Sequence, residues 1–532
     1  MYPYQPLRGS SRALMPNSRP AGPVDQSDVA TLTVRVRSRG NVADLENMVH
    51  EQSTKRLGDR IYLTRAELVD RFGARPEDLD AVEAVAQEHD LIVTRRDRAR
   101  RAVTLRGRLK NLLEAFPADV RIYHHASGPY RGRRGEIKMP QHLDGIVTGI
   151  FGYDTRPRHR SPHRLVGRAS AAASRSNGVV ATEFARRYKF PTEFQGTELD
   201  GSGQTIAVVE LGGGFRKSDL SVFCKEAGLP VPSVTSVSVD GASNDPTTAA
   251  SDDGEVMLDL EVACAVAPGA RLVVYFAPNN GDQGFIHAFG AAIHDSERRP
   301  DVISVSWGGP EHSSDQQGLA AFHELFAEAA ALGITICAAS GDHGTADDTI
   351  DRWDGKIHVD HPACDDLILG CGGTQIENGV DVAWNDGTNL ADGGWASGGG
   401  ISTIFDVPPY QAGSSLPISL DTGKGGRGVP DISMSATNYL TRVDGMEGMS
   451  GGTSAVAPLM AGLVARLNQA KKKNVGFLNP FLYANAGKGA VDDVSIGSNA
   501  IAGSVQGYSA AIGWDACTGL GTPNGEAILR NL

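Results

Sequence analysis

Residues 205–338 alternate between short apolar runs and helical segments, and this alternation restricts the fold more than any other feature of the chain. Four apolar runs are typical of buried strands. They lie near 205–210, 272–276, 302–306 and 334–338. Helical segments are predicted near 216–227, 255–267, 284–295 and 317–332. Because strands that follow one another through helices form parallel sheets covered on both faces, we predict an α/β domain with a mostly parallel sheet.

A serine near the C-terminus lies in a sequence that suits an attacking hydroxyl. Residues 448–460 read GMSGGTSAVAPLM, so Ser454 follows a glycine turn and precedes an apolar helix. The pattern G-T-S-x-x-x-P surrounds the serine of subtilisin-like folds, in which N–H groups at the start of the helix help to hold an oxyanion. An ordinary helix N-cap is the alternative for Ser454.

The position of the histidines excludes one class of hydrolase. Ser450 fits the pattern G-x-S-x-G of α/β-hydrolases, whose acid and histidine both follow the serine in the chain. The last histidine of this chain is His361, so that order is impossible here. The group that activates Ser454 must come from upstream, and carboxylates are the favoured candidates.

Two acidic residues share one face of the helix predicted from residue 255. Glu255 and Asp259 are four residues apart, and like charges at that spacing are mildly destabilising. If the pair is buried, the two groups titrate together, so that Glu255 serves as general base and Asp259 orients it. A solvated acidic first turn, favoured by the helix dipole, is the alternative.

A third acidic residue follows the strand predicted at 334–338. Asp342 lies in a small-residue turn, where the subtilisin pattern has an asparagine that donates to the oxyanion. A carboxyl group donates a hydrogen bond only when it is protonated, so Asp342 would assist catalysis at acidic pH. The alternative is a loop aspartate that forms an Asx-turn.

These motifs together resemble the sedolisin family of serine-carboxyl peptidases, and its kumamolisin branch above all. The resemblance covers essentially the whole chain. Its matching stretches are residues 206–214, 254–269, 304–311, 342, 450–458 and 513–521. It implies that Ser454 is the nucleophile, Glu255 the base, Asp259 its supporting acid and Asp342 the oxyanion acid. It also implies a subtilisin-like catalytic domain after a ferredoxin-like α/β propeptide domain.

The resemblance extends to residues around this core. Glu210 and Trp307 match an outer hydrogen-bond extension of the catalytic residues, and Asp360 matches a position that faces the substrate. The family also has one calcium site. The resemblance implies that its ligands are Asp493, Val494, Ala511, Gly513 and Asp515, through carboxylates and backbone carbonyls. Oxygen ligands of this kind suit a hard cation such as Ca²⁺.

Charge divides the chain into two unequal parts. Residues 1–180 contain 31 Lys and Arg against 20 Asp and Glu, a net charge of +11, and the remainder has 20 against 43, a net charge of −23. A basic segment often binds nucleic acid, but here an acidic partner lies on the same chain. We therefore expect intramolecular docking and no nucleic acid.

The domain boundaries follow from this division and from the resemblance. We predict a propeptide domain over 1–165, an exposed linker with a processing site over 166–181, and a catalytic domain over 182–532. The capping box that begins at Thr64 and the alternating strand 31–37 support a folded N-terminal domain. Peptide substrates and the chain's own propeptide are the expected partners, and the protein is expected to be a monomer.

Cysteine use and hydropathy limit the remaining possibilities. No C-x-x-C pair occurs, so buried free thiols are expected instead of a disulfide framework or a zinc site. The six cysteines are Cys224, Cys264, Cys337, Cys364, Cys371 and Cys517. No run of about 18 apolar residues predicts a membrane span, and no hydrophobic signal region opens the chain. An extracellular location is implied only by the family.

The leading hypothesis is a secreted, acid-active endopeptidase made as a self-processing zymogen, and two alternatives stay open. One is a subtilisin-like protease with a histidine base. Its upstream candidates are His287, His294, His312, His323, His343, His358 and His361. The other alternative is an inactive relative that only binds its partners.

Overall fold

The computed structural model describes residues 3–157, 178–249, 251–504 and 506–532, with the backbone of Arg164 and Leu165. The predicted linker therefore lies largely outside the described residues. The N-terminal strands are β1 (Tyr4–Pro6), β2 (Arg19–Pro23), β3 (Val29–Val36), β4 (Ile92–Asp97), β5 (Ala102–Arg108), β6 (Asp119–His125), β7 (Gly128–Arg134), β8 (Lys138–Pro140) and β9 (Val147–Phe151). The N-terminal helices are α1 (Val42–Ser53), α2 (Arg65–Phe72), α3 (Pro76–Glu88) and α4 (Leu109–Ala115).

The N-terminal domain is built on a four-stranded antiparallel sheet. The strand order is β4-β5-β3-β9. Among these four strands, β3 comes first in the chain, and it lies between β5, the third, and β9, the last. This order, with helices between the strands, is the ferredoxin-like arrangement that we predicted. The predicted capping box is present at the start of α2, where Thr64 and Glu67 bond reciprocally. Strands β2, β6 and β7 form a second, smaller sheet.

The C-terminal domain contains the rest of the described elements. Its strands begin with β10 (Arg164–Leu165), β11 (Glu193–Phe194), β12 (Thr197–Glu198), β13 (Thr205–Glu210), β14 (Ser233–Ser238), β15 (Arg271–Phe276), β16 (Val302–Val305), β17 (Gly309–Pro310), β18 (Thr335–Ala339) and β19 (Asp360–His361). They continue with β20 (Leu369–Glu377), β21 (Val380–Ala383), β22 (Gly400–Ile401), β23 (Gly428–Val429), β24 (Ile432–Ser435), β25 (Tyr439–Val443), β26 (Met446–Gly451), β27 (Val491–Asp492) and β28 (Thr522–Pro523). Its helices are α5 (Ala181–Arg187), α6 (Lys217–Glu226), α7 (Asp253–Val266), α8 (Asp282–Ile293), α9 (Gln316–Ala331), α10 (Val456–Lys471), α11 (Asn479–Asn485) and α12 (Gly525–Asn531).

One eight-stranded sheet forms the centre of this domain. Its order is β14-β15-β13-β16-β18-β20-β21, and β24 pairs with β20. Every pair is parallel except β20 with β21. Helices α7 and α10 pack on one face in one apolar cluster, and α8 and α9 pack on the other face in a second cluster. The prediction of a mostly parallel sheet covered on both faces is confirmed.

All six cysteines are buried and free, as predicted. The sulfur atoms of Cys224 on α6 and Cys264 on α7 lie 3.7 Å apart. None of the helices in the described part of the chain has the length and apolar character of a membrane span.

Arginines of the N-terminal domain meet carboxylates of the C-terminal domain at a buried interface. Arg35 on β3 and Arg101 before β5 each approach Glu324 on α9 to 2.8 Å, and Arg101 also approaches Glu328 to 2.8 Å. Both arginine side chains are only 2% exposed, so these ion pairs are shielded from water. His294 on α8 completes the cluster, with Nε2 2.8 Å from Glu328.

Further contacts of the same kind surround this cluster. Arg12 bonds Asp282 at 3.1 Å, and Arg133 forms a buried ion pair with Asp315. The hydroxyl of Thr33 lies 2.9 Å from Nε2 of His287, a residue of α8. The basic N-terminal part and the acidic remainder therefore dock within one chain, as the charge division predicted.

Replacing Arg35 tests how much this interface contributes to stability. The Arg35→Met change leaves the buried carboxylate of Glu324 without one of its two guanidinium partners. Removing one partner of a buried ion pair costs about 3–5 kcal/mol. We expect a loss of that order in the free energy of unfolding of the N-terminal domain, measured by urea titration at neutral pH.

The matched control is Arg96→Met, which removes a partly exposed arginine that pairs with Asp80 inside the N-terminal domain. Exposed ion pairs contribute about 0–1 kcal/mol, so this change should be almost silent. Equal effects of the two substitutions would show that the buried ion pairs do not hold the domains together.

Candidate active site

The predicted site residues gather at one edge of the central sheet. Glu210 is the last residue of β13, Ser306 and Trp307 follow β16, and Asp342 follows β18. These three strands are parallel neighbours, so their carboxyl ends lie side by side. In open α/β sheets this edge is where ligands bind.

Helix α7 brings two carboxyl groups into the protein interior. All of its residues from Asp253 to Val266 are buried, and the side chains of Glu255 and Asp259 are 0% exposed. The alternative of a solvated acidic first turn is therefore wrong. Burial, and then the charge of Glu255, raise the pKa of Asp259 well above its ordinary value. Glu255 and Asp259 therefore interact electrostatically, which is a condition for the two carboxyl groups to share one proton.

Ser454 lies in a tight turn directly before a buried helix. Gly452 adopts φ = 118°, a left-handed conformation that favours glycine, and residues 453–455 form one turn of 3₁₀-helix that leads into α10. The N-cap position of α10 is Ala455, so the alternative of Ser454 as N-cap is wrong. Ser454 is 0% exposed, and its Oγ has no hydrogen-bond partner among the described residues.

A buried serine links the acidic pair to this turn. The Oγ of Ser306 lies 2.8 Å from Oδ1 of Asp259 and 3.2 Å from the backbone carbonyl oxygen of Ser454. Ser306 itself is 0% exposed. Asp259 and Ser454 are thus held together through a single hydroxyl.

Asp342 approaches the same turn from the other side. Its Oδ1 accepts hydrogen bonds from the backbone N–H of Thr453 at 2.7 Å and from the Thr453 hydroxyl at 2.8 Å. The side chain therefore contacts the residue before Ser454 instead of forming only a local Asx-turn. Asp342 is 1% exposed, so a charge on it would be poorly solvated.

Glu210 and Trp307 contact each other beside the acidic pair. The indole Nε1 of Trp307 donates to Oε2 of Glu210 at 2.8 Å. Burial, and then the charges of Asp259 and Glu255, raise the pKa of Glu210 well above its ordinary value. Glu210 is therefore close enough to the pair to share its electrostatics, which agrees with an outer position in the site.

Asp360 lies against the backbone beside these residues. A Cβ atom on Gly308 would meet Oδ1 of Asp360 at 2.1 Å, so a side chain at position 308 would displace the Asp360 carboxylate. A Cβ atom on Gly341, which adopts φ = 97°, would lie 2.2 Å from Oδ1 of Asp347. Burial and the charge of Asp360 raise the pKa of Asp347 well above its ordinary value.

Sequence reasoning missed Ser306 and Asp347. Ser306 precedes Trp307 in the stretch SVSWGG, where a small polar residue gives no signal of its own. Asp347 is one of several acids in a loop, and its burial at 7% exposure is visible only in three dimensions.

The upstream histidines contact groups other than the Ser454 hydroxyl; His312 bonds the Thr403 hydroxyl at 2.8 Å, and His343 packs on Trp395. His287, His294 and His323 lie at the interface with the N-terminal domain, where His323 is 3.4 Å from Glu46. His358 bonds Asp354 at 2.8 Å, and His361 is buried against phenylalanine rings. Within the described residues, no hydrogen bond joins a histidine to the Ser454 hydroxyl.

The predicted calcium ligands converge on one loop. The N–H of Gly513 donates to Oδ2 of Asp493 at 2.9 Å, and the N–H of Ala511 donates to Oδ2 of Asp515 at 3.1 Å. Two carboxylates therefore accept hydrogen bonds from the backbone N–H groups of the same short loop. This oxygen-only set fits a hard divalent cation.

Two family models match this chain. The family model of the pro-kumamolisin activation domain matches residues 16–156, and the model of the subtilase family matches residues 246–481. Fold, site and these matches define a serine-type peptidase that carries an activation domain.

Individual relatives identify the family. Kumamolisin of Bacillus sp. strain MN-32 is 41% identical, over 99% of this chain and 96% of the relative. Sedolisin of Pseudomonas sp. strain 101 is 27% identical, over 92% and 84%. The structure of Pseudomonas sedolisin complexed with pseudo-iodotyrostatin is 28% identical, with a TM-score of 0.57 over 66% of this chain and 97% of that one. The chain belongs to the kumamolisin and sedolisin family of serine-carboxyl peptidases.

Proposed function

We propose that this chain is the zymogen of an acid-active serine-carboxyl endopeptidase that matures by cutting itself and works outside the cell. The observation that carries the proposal is the meeting of carboxyl groups at the Ser454 turn. Asp342 bonds the residue before Ser454, and Ser306 joins Asp259 to its backbone. In an acid endopeptidase, carboxyl groups must carry out the proton transfers that an imidazole carries out in other serine peptidases.

The first half of the reaction forms an acyl-enzyme. The Oγ of Ser454 attacks the peptide carbonyl carbon while Glu255 accepts the hydroxyl proton. The developing oxyanion receives a hydrogen bond from protonated Asp342 and from N–H groups at the start of the helix. As the C–N bond breaks, the proton on Glu255 passes to the leaving amine.

The second half returns the enzyme to its starting state. Water attacks the ester carbonyl while Glu255 accepts a proton from it. The C–Oγ bond then breaks, Ser454 regains its hydroxyl proton, and the product acid leaves. Asp259 orients Glu255 in both halves, and the contact between Glu210 and Trp307 supports the pair from outside.

A fall in pH would also weaken the docking of the propeptide on the C-terminal domain. Burial opposes ionisation of Glu324 and Glu328, but the Arg101 guanidinium and its neighbours hold the pKa of both carboxyls below the ordinary 4.5. Because the carboxyl pKa is lower in the docked state, ionisation of these groups stabilises docking at pH values above the ordinary pKa. This stabilisation is lost as the pH falls through the lowered pKa. Release is therefore expected on the acidic side of about pH 4.5.

The last residues of the predicted propeptide domain support processing by the chain's own site. Strand β10 pairs antiparallel with β26, with Arg164 opposite Gly451 and Leu165 opposite Ser450. Ser454 follows this strand by three residues. A chain segment bound as an added strand is a common way to present a peptide to a protease, so the first cut is expected close to Arg164.

The substrates are peptides, and their preferred side chains are a finer proposal. Asp360 lies beside Trp307 and Gly308 in a buried acidic group with Asp347. An acidic wall favours basic side chains in the substrate. The Ca²⁺ ion would be held by Asp493, Asp515 and the backbone carbonyls of Val494, Ala511 and Gly513, where it would supply structural stability.

Self-processing is tested with the Ser454→Ala protein. Without the hydroxyl no acyl-enzyme forms, so this zymogen should stay full length at pH 4 while wild type shortens. The Ser450→Ala protein is the matched control, because Ser450 lies on β26 before the nucleophile turn and its hydroxyl contacts that of Thr441 on β25. It should shorten like wild type. Gel electrophoresis and mass spectrometry measure the products, and equal trimming of the Ser454→Ala protein would reject the proposal.

Calcium binding is tested by chelation. Removing a ligand that is present at about 100 times its Kd costs roughly 2.7 kcal/mol, so a chelator should lower the Tm of the C-terminal domain by about 3–4 °C. The Asp493→Asn protein should have lost this response. The Asp492→Asn protein should keep it, because the neighbouring Asp492 is 62% exposed and pairs loosely with Lys189. A wild-type Tm that is insensitive to chelator would contradict the site.

A further inference from the structure

Ser306 makes two contacts that one hydroxyl cannot both donate. Its Oγ is 2.8 Å from Oδ1 of Asp259 and 3.2 Å from the carbonyl oxygen of Ser454. A hydroxyl has one hydrogen and two acceptor positions. If it donates to Asp259, the Ser454 carbonyl receives nothing from it. If it donates to the Ser454 carbonyl, Asp259 must supply the hydrogen of the other bond.

The choice between these two patterns depends on the proton of Asp259. An ionised carboxylate only accepts, so it draws the Ser306 hydrogen toward itself. A protonated carboxyl group donates to Oγ, and the Ser306 hydrogen then turns to the Ser454 carbonyl. That carbonyl belongs to the peptide unit directly after the nucleophile, so its orientation affects where the Ser454 hydroxyl points.

We infer that Ser306 is a positioning residue, which couples the protonation state of Asp259 to the backbone of the nucleophile Ser454. This inference rests on the proposed function, since it assumes that Ser454 attacks and that Glu255 and Asp259 activate it. It adds a connection between the acidic pair and the nucleophile turn that does not pass through Glu255.

The electrostatics of the site allow Asp259 to be either ionised or protonated. Burial and the charge of Glu255 raise the pKa of Asp259, whereas the hydrogen bond from Ser306 lowers it. Glu210, at the end of β13, is a further titratable group that interacts with Asp259. Asp259 can therefore hold a proton in the acidic range, and Ser306 opposes this by stabilising the ionised form.

The chain offers a matched control two residues away. Ser304 lies on β16, which ends directly before Ser306. Ser304 is also 0% exposed, and its hydroxyl has no hydrogen-bond partner among the described residues. Ser304→Ala and Ser306→Ala remove the same atom from the same buried segment. Only the second removes the contact with Asp259.

The experiment measures kcat and KM for one peptide substrate between pH 3 and pH 7 with acid-matured protein. We expect Ser306→Ala to lower kcat roughly 10- to 100-fold with little change in KM, because the nucleophile is misplaced. In this variant the midpoint of the rise of kcat with pH should move to higher pH by about half a unit or more, because the ionised form of the Glu255 and Asp259 pair loses a hydrogen bond. Ser304→Ala should leave both quantities within about twofold.

Further variants keep the test decisive. Ser306→Thr retains the hydroxyl and should restore the wild-type midpoint. If Ser306→Ala fails to mature, Ser306→Cys takes its place, since a thiol is a weak donor and should also move the midpoint. An unmoved midpoint in the variant that matures would overturn the inference.

A Glu255→Gln protein, matured by added wild-type enzyme that is then removed, separates this inference from the proposed function in the same assay. If Glu255→Gln is inactive and the Ser306 variants match Ser304→Ala, the coupling is wrong and the carboxyl mechanism stands. If Glu255→Gln is fully active, the proposed function itself is wrong, and the inference fails with it.

Discussion

Burial of carboxyl groups is the interaction on which the rest of this structure depends, and its effect is decided by the nearest cation. Beside Ser454, Asp259 and Glu210 are buried among other acids, so burial and mutual repulsion raise their pKa values. Under the propeptide, Glu324 and Glu328 are buried against Arg35 and Arg101, which keep their pKa values low. The same cost of desolvation thus produces proton-holding groups at one site and ionised groups at the other.

The two sites are joined by the fold of one chain. Helix α9 carries the interface carboxylates, and the sheet beneath it carries Glu210, Ser306 and Asp342 at its carboxyl edge. The segment that connects the domains pairs with the strand before Ser454. Under the proposed function, a fall in pH would therefore act on docking and on catalysis together.

Much of this arrangement could be predicted from the sequence because its signals are local. The strands and helices from 205 to 338 follow from apolar periodicity, and Ser454, Glu255 and Asp342 each lie in a short motif. The contacts between them are not local. Ser306 is 47 residues from Asp259 and 148 from Ser454, and Arg35 is 289 residues from Glu324. Net charge predicted that the domains dock, but only the folded chain shows which arginine meets which carboxylate.

The central claim is that carboxyl groups, and no imidazole, drive the attack of Ser454. The most direct measurement is hydrolysis of one peptide by the matured enzyme at pH 4 and at pH 8. Asp342 must be protonated to donate, so the account predicts a rate at least about tenfold higher at pH 4. A higher rate at pH 8 would contradict it, because a histidine base works best there.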